Sequence, residues 1–298
     1  MRISKGFGLI AFIALLLLVG AYYFLLRTTD RQIRISSNPW VGFTPFIYAQ
    51  EKGWLESTPF RFMWLVDLSE NARLYEGGFT KGFTATQYEL LHFKDQEHIK
   101  PVFLIDRSAG ADAIMSNRSL QELRGFRGSI PVYLELGSLH EDIFKAFVKE
   151  NKLAGLSFSF KDSSQKAIAQ QQPKDAPKIM VSYAPYTTEL SKLGFITIAS
   201  TRTLRSLFVI DALFIDERIV EGREQDFQKL RAIFNLAHAR LNSDPHEFYN
   251  VIHSYLEGQT YDEFMATVPQ IEWLNHTDRA PYLRQFQLQN IATNQMLP

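Results

Sequence analysis

The 298-residue chain has no cysteine. This excludes disulfides, thiol catalysis, zinc sites built on thiolates and attachment of a lipid to an N-terminal Cys. Net charge is missing as well, because 32 Lys and Arg offset 32 Asp and Glu. Nothing therefore points to a nucleic-acid partner or an acidic polymer substrate. Catalytic signatures are equally scarce. The seven His residues form no H-E-x-x-H pair, there is no Walker loop or G-x-S-x-G elbow, and Gly77-Gly78-Phe79 is not a dinucleotide fingerprint. No metal site and no cofactor are expected, and the chain is not expected to be an enzyme.

What the chain does have begins with an uncharged apolar run over 7–26, with Arg2 and Lys5 before it and Arg27 after it. About twenty such residues suffice to span a bilayer as a helix. A cleavable signal peptide needs small residues ahead of the cut, and Val19-Gly20-Ala21 supplies them. The run nevertheless continues through Tyr22, Tyr23, Phe24, Leu25 and Leu26, and this aromatic end favours an uncleaved anchor. Residues after Arg31 are then expected outside the cytoplasm, on a single-pass protein of the inner membrane.

From Arg31 onward strand patterns alternate with helical ones, which predicts an α/β fold with mostly parallel sheets. The stretch Asn38 to Leu55 reads as strand end, loop and helix in one pass. Ile33 and Ile35 alternate with Arg34, Thr44 is placed to cap, Pro45 fits the first helical turn, and Gly53 can take the left-handed conformation that ends the helix. The loop before that helix lies at a strand's carboxyl end, where open α/β folds bind ligands. Further on, Phe60, Phe62, Trp64 and Val66 alternate as a strand. Thr84 to Gln87, Ser138 to Glu141 and Thr260 to Glu263 have capping-box spacing. Leu207 to Ile215 is a long apolar run suited to a strand shared between two lobes, and it carries Asp211, a carboxylate that needs a partner there.

The Trp-x-Gly-x-x-Pro run from Trp40 to Pro45, with Lys52-Gly53-Trp54 after it, resembles the opening of the periplasmic solute-binding proteins of nitrate, sulfonate and taurine ABC importers and of the related thiamine-pyrimidine-synthase-like proteins. Four further pieces follow in the family's order. Asp106 to Ile114 resembles its D-x-S-x-G-A-D-A-I segment, Ser119 to Gly125 its S-x-x-D-L-K-G turn, Gly137 to His140 its G-S-x-x-H helix start, and Pro185-Tyr186 with Asp211-Ala212-Leu213 its later landmarks. Tyr183 and Ala184 stand where the family has Trp and an acid, and the cysteine-rich signature of the synthase branch is missing.

The resemblance implies a two-lobed periplasmic-binding-protein fold of type II with two hinge strands, and the apolar run places before it a membrane anchor or signal segment over 1–30, read here as a transmembrane helix. Lobe one would comprise 31–106 and 209–298, and lobe two 107–208. It further implies that the chain captures a small anionic or heteroaromatic solute between the lobes and delivers it to an ABC permease and ATPase. A membrane-anchored sensory module and a thiamine-pyrimidine-synthase-like enzyme are the alternatives. Three clusters are expected to face the cleft. Asn38, Trp40, Gly42 and Phe43 form the first, and the hydroxyls of Ser69, Thr84 and Thr86 the second. The third has Ser138 and His140 at a helix start, with Asp106 and Ser108 at the crossover, while Tyr183 and Tyr186 close the cleft and Asp211 is expected to make a hinge hydrogen bond or to recognise an amine.

Overall fold

The structure is a computed structural model that describes residues 32–65, 70–93, 96–174, 176–256, 258–275 and 279–297. The apolar run over 7–26 and Ser69 lie outside these residues. Among the described residues no helix is long and apolar enough to cross a membrane.

In chain order the strands are β1 (Ile33–Ser37), β2 (Phe60–Trp64), β3 (Gly82–Thr86), β4 (Ile99–Ser108), β5 (Asp112–Ser116), β6 (Ser129–Leu134), β7 (Ser157–Asp162), β8 (Ile179–Tyr183), β9 (Ile196–Ser200), β10 (Ile210–Asp216) and β11 (Ile271–Trp273). The helices are α1 (Thr44–Glu51), α2 (Glu70–Glu76), α3 (Gln87–Leu90), α4 (Leu120–Gly125), α5 (Leu139–Glu150), α6 (Gln165–Ala169), α7 (Tyr186–Leu193), α8 (Glu217–Val220), α9 (Glu224–Ser243), α10 (Pro245–Ile252), α11 (Tyr261–Thr267) and α12 (Ala280–Leu288). The strands form two sheets, ordered β11-β4-β10-β3-β1-β2 and β7-β6-β8-β5-β9.

Both sheets are mixed, where alternation of strands and helices predicted mostly parallel ones. β1 runs parallel to β2 and β3, and β6 runs parallel to β7 and β8. β10 runs antiparallel to β3 and β4, and β5 antiparallel to β8 and β9. The reversed strands are those that carry the chain from one sheet to the other. It passes from β4 to β5 through 109–111 and returns from β9 to β10 through 201–209. The two passages are bonded side by side: Ser108 N donates to Val209 O at 3.0 Å and Thr201 N to Asp112 O at 3.0 Å. Buried Gln87 pins the return, since Ile210 N donates to its Oε1 at 2.8 Å and its Nε2 donates to Phe208 O.

β3 was not expected, because Thr84 to Gln87 has helix-cap spacing. The strand is central and buried along its whole length, so tertiary pairing overrides the local cap signal. Gly82 lets it approach β10, where a Cβ would lie 2.5 Å from Phe214 O and 2.3 Å from Ile215 Cδ1. The cap itself falls two residues later. Thr86 accepts from Glu89 N and donates its backbone N–H to Glu89 Oε2, a reciprocal box. Thr44 likewise does not cap α1, for its hydroxyl donates to Val41 O at 2.6 Å and Phe43 holds the cap position. Gly53 ends that segment with φ +71°, and Trp54 N donates back to Ala49 O.

Helices cover both faces of the first sheet. On one face Phe46 of α1 lies 4.5 Å from the Phe62 ring and 4.8 Å from Phe234 of α9, and burying such a ring contributes roughly 1.5–3 kcal/mol. On the other, Phe83 stacks on Phe93 at 4.4 Å. In the second sheet Ile130, Val132 and Val181 pack against Ile143 and Phe147 of α5, while Met115 and Met180 pack against Leu190 of α7. Each sheet therefore has its own core, and the surfaces left between them form the site.

Candidate functional site

Register places the polar groups of the first sheet in one row. Asp211 of β10 lies opposite Asp106 of β4 on one side and Thr86 of β3 on the other. Trp40, in the loop after β1, extends its indole over the row and donates from Nε1 to Asp106 Oδ1 at 3.4 Å. Gly42 leaves room for that meeting, since a Cβ there would lie 1.7 Å from Asp106 Oδ2 and 3.0 Å from Trp40 Nε1. From the second sheet, Asp112 of β5 lies opposite Tyr183 of β8. The Tyr183 ring stacks with His140 at 5.8 Å and meets Trp40 edge-on at 5.8 Å. The two sheets touch through this aromatic pair.

Between them lies a cavity walled by Asn38, Trp40, Phe43, Thr86, Glu89, Asp112, Leu139, His140, Tyr183, Val209 and Asp211. It leaves about 30 Å³ open to the centre of a water-sized sphere, room for roughly two waters. Beside it a second hollow, the neck, shares Asn38, Trp40 and Tyr183 with the cavity and is bounded also by Pro39, Tyr186 and Tyr255. A wider chamber of about 220 Å³ shares Tyr186, Leu256 and Gln259 with the neck and lies against α6 and α7. At that mouth Lys192 Nζ donates to Glu263 Oε1 at 2.5 Å, which ties the second half to the first.

Four carboxyl groups converge on the inner cavity. Burial pushes Glu89 and Asp106 up to about 7 and Asp112 up to about 6. Asp211 is raised well above the ordinary carboxylate range, first by burial and then by repulsion from Asp106, Glu89 and Asp112. Repulsion of this kind favours the protonated form of Asp211, while the Trp40 indole restrains the rise of Asp106. Burial lowers His140 to about 4, so the ring is neutral at pH 7. Its Nδ1 is 3.3 Å from Glu135 Oε2 and 3.4 Å from Gln165 Nε2. Three buried atoms on these walls have no hydrogen-bond partner: Asn38 Oδ1, Glu89 Oε1 and His140 Nε2.

Of the residues singled out from the sequence, Asn38, Trp40, Phe43, Thr86, His140, Tyr183 and Asp211 stand on the cavity wall, and Tyr186 stands in the neck. Gly42 and Asp106 lie behind Trp40. Three others serve the frame. Thr84 is buried in its sheet, 2.6 Å from Ser37 Oγ, and Ser108 bonds Thr201 at the crossover. Ser138 caps α5 by accepting from His140 N, while Glu141 takes the Gly137 N–H instead of completing a box. Ser69 lies outside the described residues. Glu89, Asp112, Leu139 and Val209 were missed. Glu89 was discoverable as the acid three residues after Thr86, but only the sheet pairing brings it beside Asp211.

No protein-family model and no curated protein sequence matches the chain. Solved structures do. The periplasmic aliphatic sulphonate binding protein SsuA from Escherichia coli superposes with a TM-score of 0.65 at 13% identity, covering 88% of each chain. The zinc-bound ligand binding component of an ABC-type import system from Staphylococcus aureus gives 0.63 at 13% identity, covering 89% of this chain and 96% of that one. The desulfurization enzyme DSZB gives 0.61 at 10% identity, covering 87% and 92%. The chain thus has the two-sheet α/β fold of periplasmic binding proteins, in agreement with the resemblance carried by its sequence motifs. That fold hosts binding proteins and at least one enzyme.

Proposed function

We propose that the chain is an extracytoplasmic solute-binding protein that captures a small solute between its two sheets and passes it to an ABC permease and ATPase. The observation that carries this reading is the inner cavity, whose walls come from both sheets and include three buried polar atoms without partners. Unpaired buried groups are costly, and a solute that pairs with them stabilises the closed arrangement because it reaches both walls only there. The halves that move are 31–106 with 209–298, and 107–208, joined by the two crossovers. The segment over 7–26 anchors the chain at the outer face of the inner membrane, which keeps it at high local concentration near its permease.

Turnover in the same cleft is the weaker reading. No Ser or Lys stands on the described walls of the inner cavity, and the Thr86 hydroxyl is engaged as a helix cap. Small-angle scattering from the full chain in contrast-matched detergent tests solute capture. A bound solute is expected to reduce the radius of gyration, and profiles indifferent to every solute offered would contradict capture by closure.

A further inference from the structure

We infer that the solute this cavity selects is a small organic cation, a protonated amine or amidine, held between buried carboxylates and aromatic rings. The inference rests on the solute-capture reading and specifies its chemistry, and it departs from the anion implied by the sequence motifs.

Three observations carry it. First, Glu89, Asp112 and Asp211 stand on the wall, with Asp106 directly behind, and no Lys or Arg stands on the described wall. The cationic side chain nearest in sequence, Arg107, is already engaged. Its Nη2 is 3.1 Å from Glu272 Oε2, and its guanidinium lies over the Phe208 ring at 5.5 Å. Buried carboxylates without a cation are expensive, because the protein interior does not replace the water they lose. A cationic solute supplies the charge that the chain withholds, whereas an anion would add a like charge to the same dry space.

Second, the unpartnered atoms suit such a solute. Glu89 is 92% buried, since 8% of its surface is exposed. Its Oε2 is taken by the Thr86 backbone while Oε1 has no donor. Asn38 Oδ1, on a side chain only 3% exposed, is a second acceptor without a donor. An ammonium or amidinium has two or more N–H donors to fill both. His140 Nε2 adds one further polar contact at the opposite wall.

Third, the remaining wall is aromatic. Trp40, Phe43 and Tyr183 line the cavity, and Tyr186 and Tyr255 line the neck beside it. Ring faces attract cations and bury their hydrocarbon parts. The carboxylates do not form a metal site, because no group of three or more His, Asp or Glu side chains among the described residues is placed to hold an ion. Carboxylates beside aromatic rings in a cavity this narrow suit a small cation with several donors.

The test is calorimetric titration of the full chain in detergent at pH 7.5. Methylammonium, acetamidinium and 4-aminopyridinium form one set, and nitrate and methanesulfonate the other. Saturable binding from the cationic set is expected. Asp112→Asn and Glu89→Gln should each weaken it, by about a hundredfold if the carboxylate pairs directly with the cation. Binding should also weaken as pH is lowered from 7.5 to 5. Saturable binding of nitrate or methanesulfonate with none from the cations would overturn the charge assignment and leave solute capture standing. Cation binding indifferent to both variants would overturn it as well, by placing the cation elsewhere. Absence of binding in both sets would sink the assignment, and scattering profiles unchanged by any solute would remove the capture reading with it.

Discussion

Asp211 and Asp106 face each other across the antiparallel β10–β4 pair, both buried. Two carboxylates so placed cannot both ionise cheaply. The pair binds the return strand to the strand that leaves for the second sheet, so its protonation state bears on stability as well as on the solute.

Glu89, Asp106 and Asp112 have folded values of about 7, 7 and 6, above the roughly 4 of an unfolded chain. Their contribution is present in full below the unfolded value and is lost as pH rises through the folded ones. His140, lowered to about 4, works the other way and loses its contribution as pH falls below about 6.5. Tyr183 is raised and stays neutral throughout, Glu135 lies beside His140, and Arg107 is paired with Glu272. Several carboxyls outweigh one imidazole, so the solute-free chain should have a higher Tm at pH 5.5 than at pH 8. Calorimetric scans across that window check this, and a Tm that falls on acidification would contradict it.

Asp211→Asn reproduces the neutral side chain that the raised value of Asp211 favours. Its stability at pH 8 should match the unmutated chain within about 1 kcal/mol. Asp211→Ala removes the buried polar side chain opposite Asp106 and leaves a gap beside it, at a cost of about 1–3 kcal/mol. Urea midpoints for the two variants separate these cases.

Gly42→Ala places a methyl group 1.7 Å from Asp106 Oδ2 and 2.5 Å from its Cγ. Trp40 on one side and Asp211 on the other confine the carboxyl, so strain of about 1–3 kcal/mol is expected. The denaturation midpoint should fall, and fluorescence of the Trp40 indole should shift with it.

Gln87→Ala frees the backbone of both Phe208 and Ile210 at the return passage. A loss of about 1–3 kcal/mol follows from two buried groups left without partners. Hydrogen exchange at the Ile210 amide should accelerate more than exchange in β6 or β8.

Much of this frame is legible along the chain, because its signals are local. The turn at Gly53, the capping box at Thr260 and Glu263, and the apolar run into Leu213 each depend on residues a few positions apart. The inner cavity is less legible. Glu89 reads as an ordinary residue of a short helix and Asp112 as one letter of a motif. Their meeting with Asp211 is set by which strands pair, which no local pattern encodes. Thr84 and Ser138 were plausible for the opposite reason, since hydroxyls at apparent helix starts suit binding and frame-building alike.

The account's central claim is that a solute draws the two halves together around the inner cavity. A chain without cysteine allows clean site-specific labelling, and Q170C with S254C places one spin label on each side of the mouth at exposed positions. Pulsed dipolar spectroscopy of the full chain, with and without a saturating solute from the calorimetric panel, reads the separation directly. Capture predicts a shorter and narrower distance distribution when the solute is bound. The same distribution in both states, for a solute shown by calorimetry to bind, would contradict it.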